Sequence, residues 1–385
     1  MNYKSDFIQL SIPNLSGNEI CYVNDAIKTG WVSSVGEYVL KFENAVCSYI
    51  KAKKAAVCQS GTAGLHLSLI VLGIKKNDEV IVPTVSFIAT VNPVKYVGAF
   101  PVFMDCDDSF CMDVVKLKKF LEEECIFDGR IVKNKVSKRR IKAIIVVHVF
   151  GNMKNMCELL NIAKFYNLKI IEDAAEALGS FYKEGKLKGK YAGTMADIGV
   201  FSFNGNKIIT TGGGGVVVSN NINLINQVKF LSTQAKKDSI YFIHDEIGFN
   251  YRMTNVQAAI GLAQIEQIEN FIKVKTRNYN FYKECGVNLI PFNLRIRSNY
   301  WFYSYLTEER DDLINYLLKN KIQSRPLWFP IHLQKCYKKS QSYKIKKALW
   351  FWKRVINLPC STNLSKDMVF KISTILKKFN KPLSF

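Results

Sequence analysis

Histidine and acidic side chains are both scarce in this chain. Among 385 residues only His66, His148, His244 and His332 are histidine, and none stands at a metal-ligand spacing from another or from a cysteine. No metal site is expected. The ten cysteines form no Cys-x-x-Cys pair, and several lie inside apolar runs, as Cys47 does in NAVCSYI. Such scattering fits free thiols in a reducing compartment and not a disulfide framework. No apolar run approaches the roughly 20 residues that a membrane helix needs. The longest, over residues 141–150, is interrupted by Lys142 and His148. The opening residues, MNYKSDFIQLSIPN, hold no continuous apolar stretch of the secretory kind. These shortages predict a cytoplasmic protein with no integral membrane contact.

The deficit of acids leaves a formal net charge of +22, from 54 Lys and Arg against 32 Asp and Glu. Residues 321–385 hold 15 of those basic residues against the single acid Asp367, and 133–142 (KNKVSKRRIK) forms a second cluster. Such charge can serve nucleic acid, an anionic membrane surface or an anionic small substrate, or it can be a solvated lysine-rich face. No zinc finger, RNA-binding aromatic motif or basic heptad accompanies it, so no nucleic-acid partner is expected.

What the sequence does contain is alternation. The length allows two or three domains with a sizeable core. Ser16-Gly17-Asn18-Glu19 has the form of a capping box, with Ile20, Val23 and Ile27 on one face of the helix that follows. The loop 31–36 leads to a second helix ending near Ile50. Short apolar runs at 55–57, 79–82, 101–104, 141–147, 168–172 and 200–203 read as strands. Helical periods at 63–72, 88–96 and 153–166 lie between them. Apolar strands alternating with helices predict an α/β fold with a mostly parallel sheet covered on both faces. After Ser219 the pattern changes: 254–274 reads as one long helix, followed by a mixed α+β region. The division expected is 1–245 for a large domain and 246–385 for a smaller C-terminal one.

The chemically suggestive residues fall at strand ends, where ligands bind in open α/β sheets. Ser60-Gly61-Thr62 opens a helix, and free amides with two hydroxyls make a seat for phosphate or an ordinary helix cap. Asp173 stands just past a strand. There a carboxylate can pair with a cationic ring nitrogen or cap a helix. Lys207 is the strongest signal: one lysine in FSFNGNKIITTGGGG, among uncharged neighbours, ahead of four consecutive glycines. That setting favours a free amine for Schiff-base chemistry. A phosphate-binding P-loop needs its glycines before the lysine, so that alternative fails.

In this order, Ser60-Gly61-Thr62, Glu172-Asp173-Ala174-Ala175 and the run from Ser202 through Lys207 to the glycines resemble the DegT-type sugar aminotransferases. The likeness runs from WVSSVG at 31–36 to INLPCS at 356–361. Details such as PNLSGNE, FMDCDD, STQAKKD, HDEIGFNYRMTNVQAA and SNYWFY resemble the LegC-like branch. The resemblance implies a fold-type-I enzyme using pyridoxal 5'-phosphate (PLP). Lys207 would then be the Schiff-base lysine and proton carrier, and Asp173 the partner of the pyridinium nitrogen. Phe87 would stack on the ring, and Ser60, Gly61, Thr62 and Ser202 would hold the phosphate. Asn250 would reach the phosphate of the neighbouring subunit's cofactor, so a homodimer is implied.

Two positions depart from the family pattern. Gly213 replaces a frequent glutamate, and Glu176 stands near the cofactor's phenolate side where Gln or His is common. The loop carrying Trp31, Ser33 and Ser34 is expected to border the sugar pocket, with His332 near the nucleotide sugar or purely structural. Tyr300, Trp301 and Tyr303 alternate and read as core, and His148 as packed or supporting.

The activity implied is transfer of an amino group from L-glutamate, which leaves as 2-oxoglutarate, to a nucleotide-linked 4-keto-6-deoxy-N-acetylhexosamine. The product would feed a bacterial surface glycan (lipopolysaccharide or capsule) of the legionaminic-acid or bacillosamine type. Amination at the 3-position, a 3-dehydratase and a non-catalytic regulator are the alternatives. The dehydratase branch carries histidine where Lys207 stands.

Overall fold

The computed structural model describes residues 6–238 and 240–379. The outermost limits of the two expected domains, 1–5 and 380–385, and the end of the basic C-terminal stretch lie outside the described residues.

The central sheet has ten strands among the described residues, and seven of them position the site: β1 Lys54–Cys58, β2 Glu79–Pro83, β3 Phe100–Met104, β4 Arg140–Val147, β5 Lys169–Asp173, β6 Ile198–Ser202 and β7 Gly215–Ser219. Their order across the sheet is β1-β7-β6-β5-β4-β2-β3, with a short strand at Ser342–Tyr343 beyond β3. All pairings among the seven are parallel except those of β7, which runs antiparallel to both β1 and β6. The sheet is therefore mixed and mostly parallel, as the alternating sequence pattern requires.

The pleat divides its side chains between two cores. Ala55 and Val57 of β1 point into one, Ala56 and Cys58 into the other; Ile144 and Val146 of β4 part from Ala143 and Ile145 in the same way. Both faces are dry, which is why these strands read as unbroken apolar runs. Helices α1 Glu19–Lys28 and α2 Glu37–Ile50 pack against the helix Asn255–Glu266 on one side of the sheet.

A second, three-stranded antiparallel sheet joins Tyr303–Leu306, Val355–Leu358 and Arg325–Pro326. Helices Ile268–Glu284, Arg310–Lys319 and Lys366–Phe379 contribute to its core. The chain's first described residues cross to this lobe: Ile8 pairs with Ile322, and the Cys360 N–H donates to Leu10 O at 2.8 Å. No helix among the described residues is long and apolar enough to cross a membrane.

Several elements differ from expectation. The Ser16 capping box does not form. α1 starts at Glu19, whose buried carboxylate accepts from the Gly17 N–H at 2.8 Å and from Gln264 Nε2 at 2.6 Å, so it ties two helices together. A capping box does occur at Thr254 and Gln257. The expected single helix over 254–274 is two, parted at Gln267 (φ −100°, ψ −5°). The expected helix over 88–96 is a 3₁₀ turn, Ile88–Thr90, and a short helix, Asn92–Tyr96. Pro93 lies in the first turn of the short helix, where its missing N–H leaves no helical hydrogen bond unmade. β7 was hidden behind the glycine run.

Candidate active site

The carboxyl ends of β2, β5 and β6 and the turn after β1 surround a cavity of about 370 Å³. At the first corner, Ser60 caps the helix α3 Gly61–Val71 by accepting from the Ala63 N–H at 3.0 Å. The amides of the first helical turn remain without helical partners and aim a partial positive charge outward. Ser202, at the end of β6, closes against this turn: a Cβ on Gly61 would lie 3.0 Å from Ser202 Cβ. Gly215 begins β7 so close behind that a Cβ there would meet the Ser60 carbonyl carbon at 2.6 Å. Gly215, the last of the four glycines after Lys207, thus serves close backbone packing beside the anion seat.

Asp173 ends β5 and is buried. Its Oδ2 accepts from Thr90 Oγ1 at 2.7 Å and its Oδ1 from the Ala175 N–H at 3.1 Å. Burial raises its carboxyl above the ordinary value, and the Thr90 hydrogen bond opposes the shift. Its neighbour Glu172 points to the opposite face of the strand. There it accepts from His148 Nε2 and from the N–H groups of Gly193, Met195 and Ala196, all at 2.7–2.8 Å. His148 is therefore a supporting residue, and its own N–H donates to Asp173 O at 3.1 Å.

Lys207 sits in the loop after β6 with its side chain 12% exposed, its Nζ 3.6 Å from Glu176 Oε1. The same Nζ lies 3.9 Å from the ring centroid of Trp301. Trp301 donates from Nε1 to Asn206 O at 2.7 Å, which fastens the lysine loop to the C-terminal lobe. Phe87 stands 57% exposed at the cavity edge. Ser60, Gly61, Thr62, Phe87, Asp173, Glu176, Ser202 and Lys207 all line this one cavity.

Other expected residues lie elsewhere. Trp31 is 56% exposed and lines a separate shallow groove; the carbonyls of Trp31 and Ser33 accept from the side chain and backbone of Asn255. Ser34 is on the same loop and does not line the cavity of its own chain. Asn250 is exposed in a bridge to Thr233, away from that cavity. His332 is bound through Nδ1 to Thr84 Oγ1 at 2.6 Å. Trp301, read from its periodicity as core, is buried but presents its ring to Lys207, so it is also a wall of the site. Thr90, Phe302 and Trp328 also line the cavity, and a threonine in a turn and aromatics beside strand ends carry no distinguishing sequence pattern.

Residues 13–377 match the model of the DegT/DnrJ/EryC1/StrS aminotransferase family. The chain belongs to this family. It is 39% identical to GDP-perosamine synthase of Escherichia coli O157:H7, over 97% of this chain and 98% of that one. It is 32% identical to the UDP-4-amino-4,6-dideoxy-N-acetyl-beta-L-altrosamine transaminase of Campylobacter jejuni, over 96% and 99%. Among solved structures it resembles a family member from Brucella abortus (TM-score 0.86, 27% identity, 94% and 95% covered). It also resembles the PLP-form of a sugar aminotransferase from Streptococcus pneumoniae (TM-score 0.85, 26% identity, 97% and 100% covered). The family's aminotransferases depend on PLP, and the chemistry of this donor set fits that group. A helix N-terminus with Thr62 and Ser202 suits a phosphate, and a buried carboxylate suits a ring N–H. A lysine with no competing lysine in the cavity suits the carbonyl carbon.

Proposed function

We propose that this aminotransferase converts a nucleotide-linked 4-keto-6-deoxyhexose, N-acetylated at the 2-position, to its 4-amino sugar, with L-glutamate as donor and 2-oxoglutarate as co-product. The observation that carries the reading is the convergence of Lys207, Asp173 and the Ser60–Thr62 helix start on one cavity. When bound, PLP supplies an electron sink that lets a proton leave the carbon beside the transferred nitrogen. Asp173 holds the proton on the ring nitrogen, and Thr90 fixes the carboxylate's orientation. The α3 amides, Thr62 and Ser202 bind phosphate, and Phe87 covers the ring. Lys207 Nζ moves the proton between the donor or acceptor carbon and the cofactor, and so sets the stereochemistry of the new amine.

In this reading the enzyme is a cytoplasmic homodimer. The exposure of Asn250 supports a role in the neighbouring subunit's site, and Trp31, Ser33, Ser34 and His332 border the sugar nucleotide only once two chains combine. The product would serve a surface glycan of the legionaminic-acid or bacillosamine type. The greater identity to the perosamine synthase favours a second reading of the substrate, a GDP-linked sugar without the acetamido group.

An absorption spectrum decides the first half-reaction. The PLP-loaded protein should show a visible band that L-glutamate converts to the spectrum of the amine form, and Lys207→Ala should abolish this conversion. UDP-linked N-acetylated and GDP-linked 4-keto-6-deoxy sugars, offered in turn, should restore the band with one of them. A loaded protein that ignores every donor would refute the proposal.

A further inference from the structure

Aminotransfer sets a proton-storage problem. An amino donor arrives as an ammonium, and its nitrogen must shed a proton before it can displace the nitrogen of Lys207. The released Lys207 must then be an unprotonated amine if it is to take the proton from the donor's α-carbon. One nitrogen cannot store the first proton and accept the second, so a further base within reach is needed.

Glu176 is placed for that task. Its Oε2 is held by the Phe150 N–H at 2.8 Å, which leaves Oε1 turned to Lys207 Nζ at 3.6 Å. The charged groups that bear on it are Lys207, on the loop after β6, and Asp173, on its own segment. The segment packed from the C-terminal lobe brings Asn299, Trp301 and Phe302, none ionisable. Tyr300 packs instead on Tyr279 and Phe292, and His148 is engaged by Glu172.

We propose that Glu176 is the proton partner of Lys207: Oε1 takes the proton shed by the donor nitrogen, relayed through Lys207, and returns it when Lys207 is re-engaged. In the outward transfer one N–H bond breaks and one O–H bond forms, and the return reverses both. An ammonium–carboxylate pair becomes an amine–acid pair with no change in total charge, and burial brings the neutral pair close enough in energy to the resting ion pair to be used in the cycle. Burial pushes the Glu176 carboxyl up to about 7, against the pull of Lys207 and the Phe150 N–H, so it can exchange a proton near neutrality. The proposal rests on Lys207 being the reacting lysine, as argued above.

The test uses full-length wild type and Glu176→Gln, which keeps an acceptor for the Phe150 N–H but cannot ionise. In cofactor-free protein, the rate of reductive methylation at Lys207 is followed by peptide mass spectrometry from pH 6 to 8.5, with Lys95 as internal control. Below the Glu176 transition both proteins should react alike. Above it, the wild-type carboxylate pairs with Lys207 Nζ and opposes its reaction, so the variant should react roughly tenfold faster. A ratio that stays flat with pH overturns the proposal. If the variant does not fold, the wild-type curve decides alone: a break near pH 7 supports the pair, and a single smooth ionisation overturns it.

A second readout is single-turnover conversion of the loaded protein by L-glutamate. Its rate profile should break near pH 7 in wild type and lose the break in Glu176→Gln, with a roughly tenfold fall at pH 8. An unchanged profile in a variant that still converts the donor overturns the relay alone. Failure of wild type to convert any donor overturns the functional proposal and the relay with it.

Discussion

Glu172 and Asp173 are adjacent carboxylates with opposite employment, and the pleat of β5 makes the difference. Glu172 is saturated by four donors behind the sheet, whereas Asp173 keeps only Thr90 and Ala175 and faces the cavity. Thr90→Val removes one charge-assisted donor from a buried acceptor, a loss of about 1.5–3 kcal/mol. PLP affinity, measured by titrating the visible band, should fall at least about tenfold by the same principle, with the fold unchanged by circular dichroism. Lys207 was legible in the sequence as one lysine between a strand and four glycines, and Asp173 as the carboxylate that ends an apolar strand. Trp301 was not. Its alternation with Tyr303 signals burial, and a buried side chain that also faces the reacting lysine has the same pattern as one that does not.

At the scale of elements, Asp105 shows how a single carboxylate joins two lobes. It follows β3, and its Oδ2 accepts from Lys116 Nζ at 2.5 Å and from the N–H groups of Lys346 and Lys347; Oδ1 accepts from Ala348 N–H at 2.8 Å, at the start of helix Lys347–Arg354. Burial alone would raise its carboxyl, but Lys116 and these amides overcome burial and hold it below the ordinary value. A depressed folded-state value stabilises the fold above the unfolded value, near pH 4, and that stability is lost as pH falls through the folded value. Asp105→Asn should cost on the order of 3 kcal/mol at pH 7. Thermal melting across pH 3–7 should also show a shallower acid limb in the variant. A limb of unchanged slope would remove Asp105 from the account.

Element types were readable for the same reason the sheet is stable: strands dry on both faces become continuous apolar runs. Boundaries were less so. Gln267 interrupts a helix without any breaker residue, because tertiary packing and not local propensity sets that break. β7 was concealed because Gly215, required for contact with the Ser60 turn, looks like part of a loop.

At the scale of the molecule, the hairpin of Lys236–Asp238 and Ile243–His244 leaves Ile240, Tyr241, Phe242 and Ile247 exposed, close in sequence to Asn250. An apolar cluster so open to water fits the proposed dimer. Tyr241→Asp combined with Ile247→Asp should shift sedimentation from dimer to monomer and weaken PLP binding together. Dissociation without loss of PLP affinity would remove Asn250 from the cofactor site.

The strap at Ile8 and Leu10 sets a timetable for biogenesis. Leu10 finds its partner Cys360 only 350 residues later. At about 5–20 residues per second, translation leaves that strap waiting on the order of 20–70 s. The sheet can assemble in the meantime from strands that emerge in order. The C-terminal lobe cannot, because its lining arrives first and last. Newborn chains therefore pass through a stage with the seven main strands made and the second core open, when apolar residues near the start still await their partners.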